Sequence, residues 1–247
     1  MKEKIYTIPI NDAFDENTEC AVCAFLKKEE KDRIEYALGD SMMQPDERIV
    51  GNEKGYCNRH TEMMFEFGNK LSHALILETR LDYLEKVIKK AEENLNKPKK
   101  AVFGKSKFQQ EVDNTFSKTN EAISGCVICS RLDDIMNIFT DNLFFMYKND
   151  DEFKNKVFNS KGFCMHHFML LVNSAAKHLN AEDAYEFIKN LCILQKENIS
   201  RVKEDVSWFT KKFDYRFKDE SWKNSRDAVP RGCEKTSMYM NVNLDNE

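Results

Sequence analysis

Glycine and proline are both scarce, eight and four among 247 residues. That scarcity excludes sandwiches and barrels, which need turn residues every few positions, and it excludes glycine-rich phosphate loops. No run of 18 uncharged apolar residues occurs, so no membrane span is expected. The chain also lacks a Walker or dinucleotide fingerprint, a Ser–His–Asp or Cys–His nucleophile pattern and a paired-carboxylate motif, and no catalytic residue is assigned. What remains is helix. With 41% hydrophobic and 32% charged residues, the chain can bury a core without disulfides, and an all-α fold is expected.

The formal net charge of −4 is unevenly spread. Acids exceed bases over residues 1–95, while a basic excess lies in KPKKAVFGKSK, residues 97–107. That stretch reads as a solvated connector, and an acidic chain lacks the charge for strong phosphate contact, so nucleic-acid contact through these lysines and the aromatic–basic tail is only the weaker alternative reading. The opening MKEKIYTIPINDAFDENTEC is acidic and has no apolar run of signal-peptide length. A cytoplasmic location is therefore expected, where paired cysteines are metal ligands or redox groups more often than disulfides.

Two blocks occur twice. Cys20-Ala-Val-Cys23 is matched by Cys126-Val-Ile-Cys129, displaced by 106 positions, and KGYCNRH at 54–60 by KGFCMHH at 161–167, displaced by 107. Between the inner ligands lie 33 residues in the first copy and 34 in the second. The pattern reads as a tandem duplication. It divides the chain into a first metal-binding helical repeat at 1–96, a basic linker with a short helix at 97–124, a second repeat at 125–214 and an aromatic and polar tail at 215–247.

Within each repeat the intervening sequence is helical. Leu132, Ile135, Met136, Phe139, Leu143 and Met146 recur at steps of three and four. Phe25, Leu26, Ile34, Ala37 and Leu38 form a weaker version that stops at Gly39. Polar loops are expected at 44–55 and 149–162. From His60 onward, Phe67, Ala74, Leu81, Ile88 and Leu95, interleaved with Leu77, Leu84 and Ala91, predict one long helix with a packing seam. Ile188, Cys192, Ile199, Val202, Val206, Phe209 and Phe213 predict a second, starting near Asn180 and Asp183. Such seams are the expected surface for a bundle neighbour or a protein partner. Trp208, Phe209, Phe213, Tyr215, Phe217 and Trp222, interleaved with Lys211, Lys212, Arg216 and Lys218, read as a last helix folding its tail over the bundle. The stretch 225–231 breaks this pattern, and the final residues are expected to be disordered.

A CxxC knuckle and a CxxH at a helix start together offer three thiolates and one imidazole, a set that closes a tetrahedron around a divalent ion. Helix N-termini favour the thiolates, and the glycine before each aromatic lets the backbone turn sharply. The candidate metal ligands are Cys20, Cys23, Cys57 and His60, and Cys126, Cys129, Cys164 and His167. Local grouping within each repeat is the simpler assumption, although spacing alone does not decide it. Two closed zinc sites per chain are the leading reading. An iron–sulfur cluster is the alternative, and exchangeable CxxC thiols are a third. The placement resembles treble-clef zinc sites, with helical sequence in place of a hairpin. The repeat aligns His60 with His167, leaving His166 and Arg59 as neighbours that could support the site. His73 and His178 are read as ordinary interior or surface histidines, Cys192 as a core thiol and Cys233 as a free one.

The opening KEKIYTIPINDAF, SMMQPDERI at 41–49, the two CxxC…G-aromatic-CxxH blocks, KFDYR at 212–216 and SRDAVPR at 225–231 resemble a family of uncharacterised proteins from anaerobic Firmicutes, chiefly Clostridia. The resemblance spans roughly residues 1–232 and implies no activity. An anaerobic source would favour the iron–sulfur alternative.

Overall fold

A computed structural model of the chain describes residues 7–96 and 104–238. The described residues form twelve α-helices and no strand. In order these are α1 (Thr7–Asp15), α2 (Ala21–Leu38), α3 (Pro45–Lys54), α4 (Asn58–Glu66), α5 (Lys70–Asn94), α6 (Gly104–Thr115), α7 (Ser117–Ser124), α8 (Val127–Asn149), α9 (Asp151–Phe158), α10 (Met165–His178), α11 (Ala181–Lys211) and α12 (Ala228–Ser237). Short 3₁₀ turns occupy Asp40–Met43 and Tyr215–Phe217. Most of the basic connector, residues 97–103, lies outside the described residues, as do 239–247 of the tail.

The chain forms two compact units, and they are drawn differently from the sequential repeats. One comprises 29–134; the other joins 1–28 to 135–247. Helices α2 and α8 each begin in one unit and end in the other.

In the unit made from the two ends, α1 packs on α9, and α11 packs on both α10 and α12. Aromatic rings fill its interior. Phe14 meets Phe153 edge-on at 5.3 Å, Phe144 and Tyr147 both meet Phe187 at about 5 Å, and Phe25 lies 4.7 Å from Phe139. The helix α11 starts as expected, with the Asn180 side chain accepting from the Asp183 N–H at 2.9 Å. Its buried face is Ala184, Phe187, Leu191, Leu194, Gln195 and Val202. The seam read from the sequence is rotated from this face, so Cys192, Ile199 and Phe213 are exposed and Cys192 is not a core thiol.

In the central unit, α3 and α7 pack on α5, and a core of Ile34, Ala37, Leu38, Met64, Ile76 and Ile128 surrounds Cys126. The single long helix expected after His60 is broken at 67–69. Asn69 caps α5 by accepting from the Ser72 N–H at 3.3 Å and donates to the Leu38 carbonyl at 3.2 Å. The expected seam is also largely unburied, since Leu77, Leu81, Ile88 and Leu95 are exposed while Ser72, His73, Ile76 and Ala91 face inward.

Two further expectations are corrected. The polar loops at 44–55 and 149–162 are mostly helix. Pro45 at the first turn, followed by Asp46 and Glu47, with Lys54 at the end, suits a helix and its dipole. Asp150 caps α9 by accepting from the Phe153 N–H at 3.0 Å. The helix α12 runs to Ser237, and the final residues, expected to be disordered, lie outside the described residues from 239 onward. The aromatic tail does fold back: Trp222 lies 5.8 Å from Phe209 and Phe217 lies 5.9 Å from Trp208. The buried Lys212 ammonium there donates to the carbonyls of Phe217, Lys218 and Glu220.

Candidate metal centres

Four helix N-termini supply all eight candidate ligands in one recurring way. Cys20, Cys57, Cys126 and Cys164 each stand at the cap position, where the carbonyl accepts the first helical hydrogen bond, from Ala24, Thr61, Ser130 and Phe168. Cys23, His60, Cys129 and His167 follow three residues later. Residues three apart share a helix face, so each motif points two donors the same way. The positive end of each helix dipole also lies beside the sulfurs. Before two of these caps the chain turns through Gly55 and Gly162, at φ of +70° and +76°. A Cβ at Gly55 would stand 2.7 Å from the Arg80 guanidinium and one at Gly162 3.0 Å from Gln195 Oε1. With ψ at −161°, Gly55 occupies a region that is essentially glycine-only. Its carbonyl accepts from the Val127 N–H at 3.0 Å and so ties one ligand-bearing turn to the other. Gly55→Ala is expected to cost about 1–3 kcal/mol of stability, read by thermal unfolding.

The ligands converge in two groups, and the grouping is crossed. Cys20 and Cys23 meet Cys164 and His167; Cys57 and His60 meet Cys126 and Cys129. The local sets Cys20–Cys23–Cys57–His60 and Cys126–Cys129–Cys164–His167 are therefore corrected. The physical reason lies in the helices. Eighteen residues of α2 rise about 27 Å, which carries the chain away from its own cysteine pair before the next motif is reached.

Within each group the donor atoms all lie within 4.8 Å of one another. In the first, His167 Nδ1 is 3.4, 3.3 and 3.3 Å from the sulfurs of Cys20, Cys23 and Cys164, and Cys23 Sγ is 3.7 Å from Cys164 Sγ. In the second, His60 Nδ1 is 3.2, 3.2 and 3.4 Å from Cys57, Cys126 and Cys129, and Cys57 Sγ is 3.9 Å from Cys129 Sγ. A tetrahedron with zinc–sulfur bonds near 2.3 Å and zinc–nitrogen bonds near 2.1 Å has S···S edges of about 3.8 Å and S···N edges of about 3.6 Å. Both donor sets fit one such ion.

A protein-family model matches residues 1–243. The chain belongs to DUF6062, a family of unknown function. No curated protein and no solved structure matches it.

The two centres of this DUF6062 chain differ in what surrounds them. His60 turns Nδ1 to the sulfurs and places Nε2 2.9 Å from Glu30 Oε1, while Glu30 Oε2 takes the Arg59 guanidinium at 2.6 Å. Glu30 is buried, and its carboxylate fixes which imidazole nitrogen faces the sulfurs. Burial pushes the His60 imidazole down, but the Cys126 sulfur and Glu30 outweigh it and hold its pKa at about 10. Burial raises the Cys126 thiol, yet His60 and the backbone N–H groups of Cys129 and Cys57 bring it down to about 6. Glu30→Gln should weaken metal binding roughly 10–100-fold, the range for supports of this kind, measured by chelator competition.

Around the other centre the charges are different. Glu19, buried beside Cys20, pairs with Arg201 at 2.6 Å and Lys235 at 3.2 Å. The Lys235 ammonium, also buried, donates to the carbonyls of Glu19 and Lys161, so α12 reaches this centre. Burial raises the Glu19 carboxyl, but Arg201 and Lys235 bring it below its ordinary value. Burial holds Lys235 below its own. At His167, burial lowers the imidazole, but the Cys164 and Cys20 sulfurs hold it at about 9.

Sequence reading missed Glu19, Glu30, Arg201 and Lys235. The repeat gave no signal for Glu30, because a displacement of 106 brings it onto Met136. Of the two candidate supports, Arg59 reaches the site through Glu30, whereas His166 is exposed. His73 is buried, His178 stacks on Phe144 at 5.4 Å, and Cys192 and Cys233 belong to neither group.

Proposed function

We propose that this protein is a zinc-stabilised binding or scaffold protein without catalysis, holding one structural zinc ion in each compact unit. The observation that carries this reading is the donor geometry: three sulfurs and one imidazole nitrogen per site, all within 4.8 Å of one another, with the nitrogen 3.2 to 3.4 Å from every sulfur. Four protein ligands leave no open coordination position, which is the mark of a structural rather than a catalytic site. Three thiolates and a neutral imidazole leave a zinc centre with one net negative charge, and the helix N-termini around it stabilise that charge.

An iron–sulfur cluster is the competing occupant. Its thiolates sit on different irons with sulfides between, which calls for wider ligand separations than a single ion does. The spacing therefore supports a single ion. Elemental analysis and an absorption spectrum of anaerobically purified protein test the choice. The expected result is two zinc ions per chain and no visible absorption. Brown protein with a reversible reduction would overturn the proposal.

The scaffold role places its partner surface on α5. Leu71, Leu77, Leu81 and Ile88 are exposed there, with the exposed acids Glu78, Glu85 and Glu92 alongside. That pattern suits a partner helix whose apolar stripe has a basic flank. No helix among the described residues is long and apolar enough to cross a membrane.

A further inference from the structure

The two candidate centres are unequal in access. Cys20, Cys23, Cys164 and His167 are all buried, whereas in the other group Cys57 and Cys129 are only half-buried. Those two sulfurs lie 3.9 Å apart and come from α4 and the start of α8. The charge nearby points the same way. The Glu30 carboxylate behind His60 makes that imidazole a stronger donor, so sulfurs sharing its ion become more electron-rich.

We propose that Cys57 and Cys129 form an oxidative modification site, at which a hydroperoxide converts the two metal-bound thiolates into a disulfide and expels the ion, while the Cys20 centre stays closed. This rests on the zinc reading. One thiolate attacks a peroxide oxygen; the O–O bond breaks, hydroxide or alkoxide leaves, and the sulfur becomes a sulfenic acid. The second thiolate attacks that sulfur, an S–S bond forms and hydroxide leaves. The two sulfurs together lose two electrons and the peroxide gains them. Zinc, left with Cys126 and His60, dissociates. Reduction of the disulfide restores the four ligands.

The test uses the full zinc-loaded chain carrying Cys192→Ser and Cys233→Ser, which removes the thiols outside both groups. Hydrogen peroxide is added in the presence of a colorimetric zinc indicator, and peptide masses are mapped afterwards. The expected result is rapid release of one equivalent of zinc with a Cys57–Cys129 disulfide, retention of the second equivalent, and recovery with dithiothreitol and added zinc. Adding Glu30→Gln should leave Cys57 and Cys129 as the cysteines that are joined. Loss of both ions at one rate, or release from the Cys20 centre first, would overturn the inference while leaving the structural-zinc reading intact. A chain that never carries zinc overturns both.

Discussion

Replacing Cys164 by serine is expected to halve the zinc content and unfold the unit assembled from the two ends of the chain. Cys164 is fully buried, caps α10 and lies within 3.3 to 3.7 Å of His167 and Cys23. Serine is close in size and offers a hydroxyl oxygen in place of the capping sulfur, but it is no ligand for zinc at neutral pH. As a packing change it leaves a small misfit and a buried hydroxyl, worth about 1–3 kcal/mol. As a ligand change it forfeits most of a structural zinc site, whose apparent binding free energy is about 10–16 kcal/mol in small zinc domains. A typical domain is stable by only about 5–15 kcal/mol, so the second loss unfolds what the first would merely weaken. Metal analysis and circular dichroism distinguish the two. Two retained zinc ions with native helicity would remove Cys164 from the site.

The sequence made the helices and the chemistry of the ligands legible because both are local. Periodicity located α2, α8 and α11, and the cap-plus-three spacing of each motif is a property of a single helix turn. It failed where the signal was faint or three-dimensional. The helices α3 and α9 are short and polar, so periodicity missed them, although Pro45 and Asp150 are start signals that position-by-position reading could have used. The seams failed for another reason. Apolar residues on α5 and α11 lie on exposed as well as buried faces, and a heptad count cannot tell which row meets a neighbour. The outer partners were invisible for a third reason. Glu30 lies 30 positions before His60, and Glu19 is 182 and 216 positions from Arg201 and Lys235.

The grouping of ligands is the point at which local and global readings separate most sharply, and paired substitutions in the intact chain measure it. Cys57 and Cys129 share one group, whereas Cys23 and Cys57 belong to different groups. Each single Cys→Ser change should remove one zinc ion. The double variant Cys57→Ser/Cys129→Ser should still hold one, because both changes fall on the same ion. Cys23→Ser/Cys57→Ser should hold none. Sequential grouping reverses the two outcomes: Cys23 and Cys57 would share an ion, and their double variant would keep the second. The contrast is one full zinc ion per chain in each double variant. It does not depend on how far either variant unfolds, since a site lacking any of its three thiolates is already lost as a tight structural site. The crossed result would give the swap a mechanistic basis. A rigid helix that begins at its own cysteine pair cannot bring the chain straight back to it, so two copies of one motif complete each other.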